Sequence, residues 1–193
     1  MMFTIRSGSM TAVIDSVGAQ LMSLQSVDGT QYLWQGDPKY WPDRSLTIFP
    51  YVARLTDGCY RYRGELYHMP IHGFAPTAEF SVAEQTDAAI TFVLESCPAF
   101  YEQYPFLFRY SIRYRLENAT LHVEITVENK DEKTMHFGLG GHPGINVPLE
   151  EGLRFEDYVI EVPPCQPRRM EFTPACFITG RELPFPMECN QLP

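Results

Sequence analysis

Five histidines, His68, His72, His122, His136 and His142, are the side chains best suited to moving protons near neutral pH. Two of them stand beside glycine at the ends of strand-like segments, in Pro70-Ile71-His72-Gly73-Phe74 and in Gly140-Gly141-His142-Pro143-Gly144. Glycine lets a ligand or a second chain segment approach the backbone closely, and Pro143 pushes His142 out of the helical region toward an extended backbone. That arrangement suits general acid–base work at a loop cluster. On residue types alone, two loop histidines that cap backbone groups is an equal reading. His68 sits in a strand pattern beside Met69 and His122 falls on a charged strand face, so both read as surface residues. For His136 a structural and a functional role stay equally open. Three imidazoles from His72, His136 and His142 could hold a metal, but the short ligand spacings of metal sites are absent, so this is the minor reading.

Other chemistries lack their residues. There is no G-x-S-x-G, no G-x-G-x-x-G and no phosphate-binding loop. Cys59 and Cys97 have no histidine near them in sequence. The five cysteines (with Cys165, Cys176 and Cys189) are odd in number and widely spaced, without C-x-x-C, which fits reduced thiols of a cytoplasmic protein better than a disulfide framework. A polar, aromatic-rich site remains. It suits a carbohydrate, whose C–H faces stack on aromatic rings and whose hydroxyls bond charged groups.

The elements that must position these residues read as strands. Residues 3–6 and 11–15 flank Gly8-Ser9, residues 19–26 and 31–34 flank Asp28-Gly29, and residues 59–63 and 66–69 flank Gly64; each is a hairpin signal. Residues 79–83 and 89–95 alternate as strands, and 98–103 can form one helical turn. Residues 35–56 lose periodicity and carry Pro38, Pro42 and Pro50 among Tyr40, Trp41, Phe49 and Tyr51, as a long ordered loop would.

Residues 106–117 and 120–129 form the clearest unit. With Asn118-Ala119 as the turn, Leu116 faces Leu121, Tyr114 Val123, Ile112 Ile125 and Tyr110 Val127, while Arg113 faces Glu124, Arg109 Glu128 and Ser111 Thr126. One register therefore builds an apolar face and a charge-matched face together, and a slip by one residue ruins both. Further strands are expected at 134–139, 157–162, 170–173 and 176–179. The expectation is an all-β chain folded as an antiparallel β-sandwich, in one domain spanning residues 1–193.

Composition agrees. The chain has 193 residues, 45% hydrophobic and 20% charged, with 11 Tyr, 13 Phe, 16 Pro and 13 Gly, which is the balance of a strand-rich globular protein. The net charge of −9 opposes nucleic-acid binding. Apolar runs are too short to span a bilayer, and Arg6 interrupts the first ten residues, against a secretory signal.

Four blocks then acquire a family meaning. Tyr32-Leu33-Trp34-Gln35-Gly36-Asp37-Pro38-Lys39-Tyr40-Trp41, followed by Ile48-Phe49-Pro50-Tyr51-Val52-Ala53-Arg54-Leu55, resembles the bacterial branch of the aldose 1-epimerases, including lactose-operon-associated members. So do Ile71-His72-Gly73-Phe74-Ala75 and Phe137-Gly138-Leu139-Gly140-Gly141-His142-Pro143-Gly144-Ile145-Asn146. The resemblance implies a galactose-mutarotase-like β-sandwich with an open cleft for a free aldohexose. It implies that His142 is the general acid, that Arg54 and His72 bind and orient the sugar, and that Phe74 or aromatics of residues 34–51 line the rim. No metal or organic cofactor is needed. In that family the glutamate base and a sugar-binding aspartate lie near the C-terminus, after the position of Pro193, and nearness alone does not assign those roles to Glu182 or Glu188. The resemblance thus implies an incomplete sandwich, with uncovered edges that favour self-association.

Overall fold

The computed structural model describes residues 1–193 apart from 162, 165–167, 176, 186–190 and 193. Val162, Cys165, Cys176, Glu188 and Cys189 therefore lie outside the described residues. The chain divides into two compact units, Met1–Asn146 and Val147–Pro193.

In the first unit, β1 (Met2–Ser7), β2 (Met10–Asp15) and β3 (Leu21–Ser26) form an antiparallel meander. Then come β4 (Ser45–Ile48), β5 (Cys59–Tyr62), β6 (Glu65–His68), β7 (Ser81–Gln85), β8 (Ala89–Glu95), one helical turn at Pro98–Tyr101, β9 (Phe108–Glu117), β10 (Thr120–Asn129) and β11 (Gly140–Pro143). The larger sheet runs β10-β9-β8-β7, antiparallel throughout, and β5-β6 and β11-β4 are separate two-stranded pairs.

Alternation explains how the two main sheets meet. Along β9, Phe108, Tyr110, Ile112, Tyr114 and Leu116 are buried and the residues between them are not. Ile5, Ala12 and Ile14 turn inward from the meander and are fully buried. Phe3 meets Phe92 edge-on at 5.5 Å, and the Tyr114 hydroxyl donates to the Ala19 carbonyl at 2.8 Å, so the sheets are joined by both apolar and polar contacts. Phe49 sits at the centre, stacked on Tyr110 at 4.5 Å and edge-on to Phe74 and Phe108. Geometry of this kind adds to the burial of large rings.

The β9–β10 register is the one expected: every pair named from the sequence is opposite its partner, from Leu116–Leu121 to Arg109–Glu128. Asn118 takes a left-handed φ of 54° in the turn. Of the charged pairs, Arg109 ion-pairs with Glu128 at 3.7 Å and with Glu95 at 2.9 Å.

Other expectations shift. Residues 134–139 are not a strand; the ladder begins at Gly140, where β11 pairs with β4. The expected long loop 35–56 contains β4, a strand whose partner is some hundred residues away and which has too few residues to show a period. Residues 31–34 contribute two single bridges, Gln25–Gln31 and Leu33–Ile145, rather than a strand.

The second unit pairs β12 (Ile160–Glu161) with β15 (Gln191–Leu192) and β13 (Arg169–Phe172) with β14 (Ile178–Leu183). Arg181 bonds Glu171 at 2.9 Å, and Arg168 bonds Glu182, beside that second ladder.

Two buried tyrosines on one strand give a paired test. The Tyr114 hydroxyl is bonded, whereas that of Tyr110, fully buried, has no partner among the described residues. Tyr114→Phe is expected to cost about 1 kcal/mol, and Tyr110→Phe to be neutral or stabilising. Urea unfolding of both variants checks this, and equal losses would refute it.

Candidate functional site

His72 is held by its own backbone and by Ala53. The His72 N–H donates to the Ala53 carbonyl at 2.9 Å, and the Ala53 N–H donates back to His72 Nδ1 at 3.1 Å. Both residues occupy the left-handed region, with φ of 65° and 70°, a conformation that costs free energy in non-glycine residues. Gly73 follows at φ 76°, in a parallel bridge to Phe49; a Cβ there would lie 2.2 Å from the Phe49 carbonyl oxygen. Only glycine fits. Phe49 is in the core, so His72 is fixed one residue from the packed interior.

Those bonds decide the tautomer. With Nδ1 accepting from a backbone N–H, a neutral imidazole carries its proton on Nε2. Partial burial, reinforced by the neighbouring His142 ring, lowers the His72 pKa below that of free histidine.

His142 reaches the same place from β11, where it lies opposite Leu46 of β4. Its ring centroid is 5.8 Å from that of His72 and 5.0 Å from that of Trp41. The loop carrying Trp41 is tied down by neutral and charged bonds. Trp34 Nε1 donates to the Trp41 carbonyl at 2.8 Å, and Arg44 donates to the Met22 carbonyl and to Gln35 Oε1, both at 2.7 Å. Gly144, just past His142, exchanges backbone bonds with Trp34 and Arg44 at 2.9 and 2.8 Å. A Cβ at Gly144 would come within 2.7 Å of the Trp34 side chain, so this glycine is required by close approach.

The sequence-selected residues divide. His72 and His142 converge, with Trp41 against the latter. Arg54 is exposed and adjoins Ala53, the residue bonded to His72. Phe74 does not line a rim: it is 4% exposed, stacked on Phe100 at 4.4 Å and part of the core. The turn after Gly73 carries its ring inward. His136 lies elsewhere, its ring 6.5 Å from those of Tyr62 and Phe106, on an apolar cavity of about 550 Å³ lined also by Tyr60 and Phe137. Among the described residues no group of three His, Cys, Asp or Glu is arranged to hold a metal. Among them, too, His122–Glu117 (3.5 Å) is the one close histidine–carboxylate contact; His72 and His142 have none. Sequence reasoning missed Ala53 and Arg44. Nothing in the residue type alanine signals a left-handed backbone.

A family model described as aldose 1-epimerase matches residues 1–179. The chain belongs to the aldose 1-epimerase family. Among relatives, Protein LacX (plasmid) of Lactococcus lactis is 31% identical over 169 residues, covering 83% of this chain and 56% of LacX. The chain therefore spans a little over half the length of such curated relatives. A galactose mutarotase related enzyme from Lactobacillus acidophilus superposes with a TM-score of 0.87 at 35% identity, over 93% of this chain and 60% of that one. A galactose mutarotase-like protein from Lactobacillus casei superposes with a TM-score of 0.90 at 32% identity, over 100% and 67%. The antiparallel β architecture of the aldose 1-epimerase relatives is thus this chain's architecture. No helix among the described residues is long and apolar enough to cross a membrane.

The locked tautomer has a spectroscopic consequence. Long-range ¹H–¹⁵N spectra of the aldose 1-epimerase chain are expected to show His72 as the Nε2–H tautomer, titrating below the about 6.5 of free histidine. Between those values the unfolded chain binds more protons. The stability contributed by neutral His72 is therefore complete above about pH 6.5 and declines as pH falls toward the folded value. An Nδ1–H tautomer, or titration above 6.5, would refute the locked arrangement.

Proposed function

We propose that this aldose 1-epimerase family chain binds a free aldohexose, galactose or glucose in the first instance, at the His72–His142 cluster and carries the acid half of anomer interconversion. The observation that carries the reading is the juxtaposition of two imidazoles, one locked by the backbone and one exposed on a strand end against Trp41. Both units are read as parts of one family domain.

Mutarotation needs an acid that protonates the ring oxygen while a base removes the anomeric hydroxyl proton. The ring opens to the aldehyde, the C1–C2 bond rotates, and closure on the opposite face inverts the anomer. His142 is assigned the acid, since an exposed imidazole can give and regain the ring proton near neutrality. His72, with Nδ1 occupied, presents Nε2–H as a fixed donor to a sugar oxygen. Arg54, a permanently charged guanidinium, bonds hydroxyls without titrating. Trp41 offers an apolar face to the sugar's C–H groups.

No residue among those described is assigned the base. A second reading is a carbohydrate-binding protein without turnover, which needs only the Trp41 face and the polar groups beside it. Polarimetry and calorimetry separate the two. The 193-residue chain is expected to bind α-galactose or α-glucose weakly and to accelerate mutarotation poorly, because acid–base groups each contribute about 10²–10⁴-fold. Whatever acceleration is present should fall at least tenfold in His142→Ala, and Arg54→Ala should weaken sugar binding with a smaller effect on turnover at saturation. Full family-like activity in this chain would show that one of its own residues serves as the base. Unchanged binding and turnover in both variants would defeat the site.

A further inference from the structure

Trp41 reaches the candidate site on a loop, and one side chain fastens the two ends of that loop. Arg44 Nη1 donates to Gln35 Oε1 at 2.7 Å, across the neck of residues 35–44, and to the Met22 carbonyl of β3, also at 2.7 Å. Hydrogen bonds from a guanidinium are charge-assisted and stronger than neutral ones. The Arg44 backbone is tied as well. Its N–H donates to Gln20 Oε1 at 3.1 Å, and its carbonyl accepts from the Gly144 N–H at 2.8 Å. Arg44 therefore joins the β1–β3 meander, the loop that carries Trp41 and the chain just past His142. The anchor is firm, because β3 begins at Leu21, which is buried.

Inside the neck the two legs of the loop touch. Gly36 has a φ of 76°, and a Cβ there would lie 2.5 Å from the Pro42 carbonyl oxygen and 3.4 Å from Arg44 Nε. With its ends closed this tightly, the loop is a compact Ω-type element. Trp41 is seated in it by two further bonds. Its N–H donates to the Asp37 carbonyl at 2.9 Å, and its own carbonyl accepts from Trp34 Nε1 at 2.8 Å. The indole then fills the space before Gly144, where a Cβ would come within 3.0 Å of Cζ3, and it meets the His142 ring at 5.0 Å.

We propose that Arg44 is a positioning residue for His142: it fastens the Trp41 loop to β3 and so fixes the ring against which the imidazole packs. The chain of contact runs from the buried meander through the Met22 carbonyl and Arg44 to Trp41, and from Trp41 to His142. Arg44 acts through the indole. Its effect on sugar binding rests on the reading of this cluster as a sugar site, whereas its effect on His142 does not.

Ring-proton NMR signals of His142, assigned with His142→Asn, report the neighbouring indole through its ring current. Arg44→Met keeps the aliphatic stem and removes both side-chain bonds. In that variant the His142 signals are expected to move toward their positions in Trp41→Leu, while His72 keeps its Nε2–H tautomer. Calorimetric affinity for galactose should fall roughly threefold to tenfold, about what a well-placed aromatic face contributes. The shift should disappear when Arg44→Met is added to Trp41→Leu, whereas a general loss of stability would show in urea unfolding of either background. Trp34→Phe removes the other fastening and should move the His142 signals in the same direction, so the test stands even if Arg44→Met does not fold. His142 signals unmoved in these variants, or moved by Arg44→Met equally with and without Trp41, would overturn the proposal. A chain that binds no sugar would overturn the sugar-site reading alone, and the His142 signals would still decide for or against Arg44.

Discussion

The contact on which the candidate site depends is the approach of Gly73 to the carbonyl of Phe49. Phe49 is fully buried and its ring is stacked on Tyr110, so its backbone cannot retreat without opening the core. Its carbonyl also accepts from the Ala75 N–H at 3.1 Å, which anchors the chain on the far side of the glycine. The segment bearing His72 is therefore seated on the core from both sides. Two non-glycine residues, Ala53 and His72, are held in left-handed conformations there, each costing on the order of 1 kcal/mol or more. The reciprocal bonds between them, and the packing of Phe49 and Phe74 beneath, offset that cost.

The two imidazoles are supported by different physics. His72 is set by local backbone bonds on a rigid base and has one of its two nitrogens committed. His142 sits on a two-stranded ladder, and its position depends on β4, on the Gly144 backbone and on the Trp34–Trp41 bond. One is preorganised. The other is accessible. On the proposed reading that division has a use, since a group that orients a sugar gains from rigidity and one that gives and retakes a proton gains from an open nitrogen.

Legibility in the sequence followed the range of the interactions. The β9–β10 hairpin was readable to the residue because two independent patterns, apolar and charged, constrain a single register across a two-residue turn. β4 was not, because its four residues owe their extended form to β11, far along the chain. The segment 134–139 alternates like a strand yet lacks a ladder, as periodicity reports which side chains want burial but not whether a partner edge exists. At the site, the glycines beside His72 and His142 were a sound signal, and Gly73 and Gly144 are both required by close approach. Phe74 misled. An aromatic two residues past a candidate histidine looks like a rim, but two consecutive left-handed residues redirect the chain, and the ring enters the core.

Such redirection also bears on how far chemistry can be read from this cluster. A histidine whose Nδ1 accepts from a backbone N–H loses that bond when Nδ1 is protonated, so the geometry that fixes His72 also opposes its charging. The nearby His142 ring adds to that opposition, as two imidazolium ions at this separation would repel. The pair is thus biased toward at most one positive charge. If a sugar oxygen is to receive a proton here, the proposed donor is the ring that loses no backbone bond by carrying it. That ring is His142, tilted against Trp41 at 5.0 Å. The asymmetry that begins with a glycine against a buried carbonyl thereby becomes an asymmetry between the two histidines, one with a nitrogen committed to the backbone and one without.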